Sequence, residues 1–271
     1  MSLIDFFGKK IKPLKLRGRG IFNTNPTAQI NENIYSIAQW DVNFYVYRKG
    51  EDVILIDSGY DNYPSPERDF AKIGLVPDLV KAVFLTHADM DHAGSIVDCH
   101  NLFENATVYL HEREQDMLLG REKRFKKGPF GLRNPVKRTS GYKLLQDNEV
   151  VEIGDIKVRI IHVPGHTYGH SVYIVDDRAL FTGDSMAIND EGGHCFFNFY
   201  NMDTKLNIQS LSRLKEICKD YKIDTICTGH SGVWHDLEHV FRKIDMVAVG
   251  TKEKPFDPTA PRDIFAKHMN I

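Results

Sequence analysis

Four side chains able to hold a metal ion fall within six residues in the stretch FLTHADMDHAGS, residues 84–95: His87, Asp89, Asp91 and His92. An apolar run ends at Thr86 and the cluster follows at once, so two carboxylates and two imidazoles crowd the end of a strand. Charges buried there without partners would be strongly destabilising, whereas a metal ion offsets and organises them. Further ligand types close other apolar runs: His166 in HVPGHTYGHS, Asp184 in LFTGDS and His230 in ICTGHSG. These seven groups suffice for two four-coordinate ions if one carboxylate bridges them. A pair of ions can clamp a hydroxide and the oxygen of an attacked centre, which is hydrolytic chemistry. Side chains of a tight loop diverge, so neighbouring positions can serve different ions. Gly94, Gly165, Gly183 and Gly229 beside the ligands permit the turns this needs.

Taken singly, a His or Asp after a strand is more often a turn or capping residue; the density and recurrence of the set argue for metal. His100, His111, His235, His239 and His268 stand in helix-like or strand-end settings and read as structural. His162 and His194 stay open, and His170 reads as a structural hydrogen-bonding residue of the HTYGH turn.

The elements that must position the ligands are short. VNFYVY (42–47) and VILIDSG (53–59) read as a hairpin around Lys49-Gly50. ERDFAKIG suggests a short helix stopped at Gly74, and KAVFLT (81–86) a buried strand. ATVYLH, DIKVRIIHV, HSVYIVD, RALFTGD and IDTICTGH are further strands, several ending in His or Asp. LNIQSLSRLKEICKDY sets Leu211, Leu214, Ile217 and Cys218 on one helical face. With no repeat or Pro/Ser-rich linker, residues 1–271 are expected to form a single domain of α/β class.

A net charge of −2 over 271 residues leaves no overall footprint for nucleic acid or a membrane surface. Cys99, Cys195, Cys218 and Cys227 form no CxxC pair, which argues against a disulfide framework. The N-terminal MSLIDFFGKKIKPLKL lacks a run of signal-peptide length, so a cytoplasmic setting is expected. The expected partner is a small-molecule substrate, with a homodimer left open. Residues 121–143 depart from the average, with nine Lys or Arg and a single Glu. They read as a solvated loop or exposed helix, or as a basic rim favouring an anionic substrate.

The ligand pattern resembles the metallo-β-lactamase superfamily over roughly residues 35–240. The family motif His-x-His-x-Asp-His, then a distant His, a bridging Asp and a final His, matches His87, Asp91, His92, His166, Asp184 and His230. The resemblance implies an αββα sandwich, two mixed sheets face to face with helices outside. It implies one metal held by His87, His166 and Asp184 with Asp89 completing the set, and another held by Asp91, His92, Asp184 and His230. Asp57 in LIDSG matches an acidic residue that supports the ligands. Asp91 is implied as the catalytic group that orients a metal-bridged hydroxide and passes its proton to the leaving group. Two divalent ions, zinc first, are the implied cofactors.

Asp89 departs from the motif, where the second His is usual; a carboxylate there shifts preference towards Fe or Mn. The flavodiiron branch has a Glu at this position and needs a flavin domain, for which this chain is expected to have no room. The segment NFYNMDTKLNIQSLSRLKEI looks like its counterpart in acyl-homoserine lactonases. Those enzymes carry a Tyr three residues after the bridging Asp, where this chain has Ala187; Tyr168 or Tyr200 would have to stand in. A glyoxalase-II-type thioesterase would show a run of histidines after the Thr, which THADMDH lacks. Phe196, Phe197, Phe199 and Tyr200 either line an acyl pocket or pack beneath a loop. Cys195 has no evident activating base. The expected activity is metal-dependent hydrolysis of a small carboxylic ester or lactone. Phosphodiester cleavage, di-iron redox chemistry or ligand binding are the alternatives.

Overall fold

A computed structural model describes residues 23–61, 63–125, 132–133, 136–249 and 252–255. The N-terminal stretch expected to carry no leader, His268 and the middle of the basic segment lie outside these residues.

Two mixed sheets form the frame. The first holds β1 (Ala28–Gln29), β2 (Ile34–Gln39), β3 (Val42–Lys49), β4 (Asp52–Ile56), β5 (Ala82–Phe84), β6 (Thr107–His111) and β9 (Tyr142–Leu145), in that spatial order. Its first four strands are antiparallel, and β4, β5, β6 and β9 run parallel. The second holds β10 (Val150–Ile153), β11 (Ile156–His162), β12 (Ser171–Val175), β13 (Ala179–Gly183), β16 (Thr225–Thr228) and β17 (Val233–Trp234). Only β13 and β16 pair in parallel there. A smaller sheet joins β14 (Met186–Asn189), β15 (Gly192–Cys195), β18 (Lys243–Val249) and β19 (Lys252–Pro255), and β7 (Lys123–Phe125) pairs with β8 (Leu132–Arg133).

Strand alternation sorts the side chains into layers. On β3, Tyr45 and Tyr47 face inward, where they join Phe84 and Tyr109 of their own sheet and Val158, Ile160, Tyr173 and Phe181 of the second. Phe44 and Val46 face the other way, onto Phe70 of α1 (Pro66–Lys72) and Met117 and Leu118 of α2 (Gln115–Leu118). Behind the second sheet, Ile161, Val172, Ile174 and Leu180 pack on Leu211, Leu214 and Cys218 of α3 (Thr204–Cys218). The expected helical face is thus the buried one, with Ile217 at its half-buried margin. Asp203 caps α3 by accepting from the Leu206 amide at 2.9 Å. The result is helix, sheet, sheet, helix, the αββα sandwich. A last short helix, α4 (Leu237–Val240), leads into β18. No helix among the described residues is long and apolar enough to cross a membrane.

Where β6 and β11 end, His111 and His162 stack with ring centroids 3.9 Å apart and planes within 6°. His111 Nδ1 accepts from the Arg113 amide, and His162 Nε2 meets the Tyr168 carbonyl at 2.9 Å. Burial, then the neighbouring His162, push the His111 imidazole down to about 4, and burial lowers His162 too. Both therefore bind protons more readily in the unfolded chain. The His111 contribution to stability is full above the unfolded value of roughly 6.5 and is lost as pH falls towards about 4, and His162 acts in the same direction. Urea unfolding should show that loss. His111→Phe, which keeps a ring in the stack, should flatten it by about 1–2 kcal/mol once solvent screening at the strand end is allowed for. An unchanged slope in the variant would contradict the assignment.

Candidate metal centre

Every predicted ligand sits just beyond a strand: His87, Asp89, Asp91 and His92 after β5, His166 after β11, Asp184 after β13 and His230 after β16. Backbone bonds bring these ends together across the two sheets. The Asn43 amide donates to the Gly229 carbonyl at 2.7 Å and Ser171 to Thr86 at 2.8 Å. The Tyr45 and Tyr173 hydroxyls donate to the Thr228 and Leu85 carbonyls at 2.8 and 2.7 Å. The loop after β5 coils back on itself, with the His92 and Ala93 amides both donating to the Asp89 carbonyl.

The seven side chains converge. Asp89 Oδ2 lies 3.4 Å from His87 Nε2 and 3.3 Å from His166 Nε2. Asp184 stands between the two halves, with Oδ1 3.3 Å from His92 Nε2 and Oδ2 3.1 Å from His230 Nε2 and 3.6 Å from His166 Nε2. Asp91 Oδ2 is 3.5 Å from His230 Nε2. Three sets of possible ligand atoms cluster closely: His87, Asp89 and His166; His87, His92 and Asp184; and Asp91, His92 and His230.

Each of the four imidazoles is held through Nδ1. His92 Nδ1 meets Asp57 Oδ2 at 2.8 Å, His166 Nδ1 meets Asn201 Oδ1 at 3.1 Å, and His230 Nδ1 meets the Asp41 carbonyl at 2.5 Å. His87 Nδ1 lies 3.0 Å from Thr86 Oγ1, whose hydroxyl donates onward to Asp57. Oxygen acceptors at Nδ1 fix the proton there and turn every Nε2 lone pair towards the centre. His87 Nε2, His92 Nε2 and Asp184 Oδ1 are buried with no hydrogen-bond partner among the described residues. Buried polar atoms are normally satisfied, and a bound cation is what this donor set fits.

Supporting residues carry much of this order. Asp57 adopts φ 63°, a conformation uncommon outside glycine, and takes the Thr86 amide at 2.7 Å as well as His92. Its expected supporting role is what the contacts describe. Glu114, 1% exposed, buckles the loops of His87 and His166 together by accepting from the Ala88 amide at 2.9 Å, the Thr167 hydroxyl at 2.7 Å and the Gly169 amide at 3.1 Å. His170 Nε2 accepts from the Asp184 amide at 3.1 Å, the structural role expected of it.

Burial pushes the Asp184 and Asp89 carboxyls up, but the groups packed around them more than offset it. His230 and His92 hold Asp184 well below the usual carboxylate range. Arg124, then His166 and His87, do the same for Asp89. Burial and the Arg124 charge lower His166 to about 4, keeping it neutral. Burial alone would lower His92, and the Asp184 and Asp57 carboxylates outweigh it and raise it.

Sequence reasoning missed Arg124. This member of the basic segment is 5% exposed, and its Nε donates to both Asp89 oxygens at 2.7 and 2.8 Å. Arg138 also turns inward, donating to the Ile96 and Gly141 carbonyls. For these two residues a solvated loop or rim is the wrong description. Ala187 is buried, and Tyr200 gives its backbone carbonyl to Arg124 at 2.6 Å. Phe196 and Phe197 are buried side chains packed with Ala187, as expected of a layer beneath a loop; the Phe196 centroid lies 5.1 Å from that of His166. Burial raises the Cys195 thiol, which donates to Asn207 Oδ1 at 2.8 Å, so no nucleophile stands there.

Residues 38–230 match the family model of the metallo-beta-lactamase superfamily. The chain belongs to that superfamily. Within it, the chain is 30% identical over 120 residues to a hydroxyacylglutathione hydrolase of Dictyostelium discoideum, covering 42% of this chain and 36% of that protein. It is 25% identical over 155 residues to the atrochrysone carboxyl ACP thioesterase of Passalora fulva, covering 53% and 38%. A probable metallo-hydrolase of Methanocaldococcus jannaschii is 24% identical over 166 residues, covering 61% and 64%. The chain thus spans from 36% to 64% of these curated relatives' lengths. In fold it is similar to a B3 metallo-β-lactamase with an active-site glutamic acid, at TM-score 0.61 and 19% identity over 82% of this chain and 87% of that one. A superfamily protein of Sulfolobus tokodaii aligns at TM-score 0.51 and 22% identity, covering 76% and 82%.

Gly229 owes its identity to space. A Cβ there would stand 2.5 Å from Asp184 Oδ1 and 2.8 Å from His92 Cε1. Gly229→Ala, which removes no ligand, should therefore weaken zinc binding by about tenfold or more in competition with a chromophoric chelator. Unaltered affinity would show that Asp184 and His92 do not share an ion.

Proposed function

We propose that the chain is a metal-dependent hydrolase cleaving a small carboxylic ester, lactone or thioester. The observation that carries this reading is the set of four Nδ1-anchored imidazoles turned towards Asp89, Asp91 and Asp184. His92, Asp91, Asp184 and His230 would hold one divalent ion, and His87, Asp89, His166 and Asp184 a second. Imidazole and carboxylate donors suit zinc. A bound ion supplies Lewis acidity, polarising the acyl carbonyl and acidifying a water molecule at neutral pH. The thioester is included because one relative is named a thioesterase and another an acylglutathione hydrolase.

The chain's own groups do the rest. Asp91, at the His230 edge of the cluster, would accept the proton of the attacking water on its carboxylate and return it to the departing oxygen or sulfur. Asp57, Asn201, Thr86 and the Asp41 carbonyl keep the imidazoles from rotating. The Phe196 ring, beside His166 and His230, gives the centre an apolar wall that limits water access.

The test is a panel of aryl esters, lactones and acyl thioesters with zinc-loaded protein. Turnover of at least one class is expected, with kcat/KM reduced at least roughly a hundredfold by Asp184→Asn and by His92→Ala. Native rates in both variants would refute the reading.

A further inference from the structure

The two halves of the centre are not equivalent, because one of them already contains a guanidinium, whose charge no change of pH in the ordinary range removes. Arg124 comes from β7, outside the two main sheets, and is buried. Its Nε donates to both oxygens of Asp89 at 2.7 and 2.8 Å, and its Nη2 donates to the Tyr200 carbonyl at 2.6 Å. That same Nη2 lies 3.1 Å from His166 Nε2. His166 Nδ1 is engaged with Asn201 Oδ1, so the nitrogen facing the guanidinium carries the lone pair that a metal ion would need. The guanidinium thus meets two of the three side chains clustered at His87, Asp89 and His166. In the other half, His92 Nε2 and Asp184 Oδ1 face one another at 3.3 Å, neither hydrogen-bonded among the described residues.

We infer that Arg124 is a built-in cation that competes with metal for Asp89 and His166, so that the centre loads in order. The half formed by Asp91, His92, Asp184 and His230 fills first. The half formed by His87, Asp89 and His166 fills only when the guanidinium swings away. Asp89 explains why an arginine belongs there: its two oxygens share the guanidinium Nε–H as a charged pair, while an imidazole at that position would offer the arginine no negative charge. The departure at residue 89 and the inward arginine are two sides of one interaction. The inference rests on the metal reading of the site but not on which bond is cleaved.

Calorimetric titration of metal-free protein with zinc, on the full chain, separates the possibilities. The native protein should take one tight equivalent, with a second at least about tenfold weaker. Arg124→Ala should take two equivalents of closely matched affinity, and Arg124→Gln, which keeps the size without the charge, should follow it. A second readout uses the native chain alone. The Arg124 Nε–H signal in a nitrogen–proton correlation spectrum should survive the first equivalent and move only with the second, so the test stands if a variant fails to fold. Two matched equivalents in the native protein, or a signal that moves with the first, would overturn the inference while leaving the metal centre intact. No zinc uptake by any form would overturn the metal centre and the inference together.

Discussion

Four imidazoles and three carboxylates packed within a few ångströms of one another, most of them buried, are the constraint on which the rest of this molecule depends. Such a group is tolerable only if the carboxylates stay ionised against neighbouring cations and every imidazole is prevented from turning its lone pair aside. The Nδ1 contacts of His87, His92, His166 and His230 meet the second requirement with four different oxygens: a hydroxyl, a carboxylate, an amide and a backbone carbonyl. A metal ion or a guanidinium meets the first.

The sandwich serves that constraint through its strand ends. The candidate ligands come from loops following β5 in one sheet and β11, β13 and β16 in the other, so the centre exists only if the sheets hold a fixed relation. The aromatic inner layer, with Tyr45, Phe84, Tyr173 and Phe181 packed together, sets that relation. Two of those tyrosines also reach backbone carbonyls at the ends of the opposite sheet's strands. Glu114 and Asp57 then fix the loops themselves. Stability and site geometry are therefore coupled: a shift between sheets would separate Asp184 from His87 and His92.

Much of this was legible in the sequence because it is local. Apolar runs that stop at His or Asp announce both a strand and the side chain beyond it, and all seven positions that converge were readable from that pattern. The helical face with Leu211 and Leu214 followed from spacing in the same way, as did the turn at Gly50. What escaped was long-range. Nothing near Arg124 in the chain distinguishes it from the other basic residues of its segment, and its partner Asp89 is 35 positions away. Glu114 gives no sign of holding Thr167 and Gly169, because the convergence of those loops is a property of the packed sheets. From its neighbours in the chain Gly229 is a turn residue, whereas in the packed structure its missing side chain makes room for Asp184 and His92.

The central claim is that this cluster is a metal centre, and the most direct measurement is an anomalous difference map at the zinc edge from crystals grown with zinc. The account predicts a peak about 2.0–2.2 Å from ligand atoms of Asp91, His92, Asp184 and His230. A map without a peak among these side chains, in crystals whose solution contains ample zinc, would contradict it.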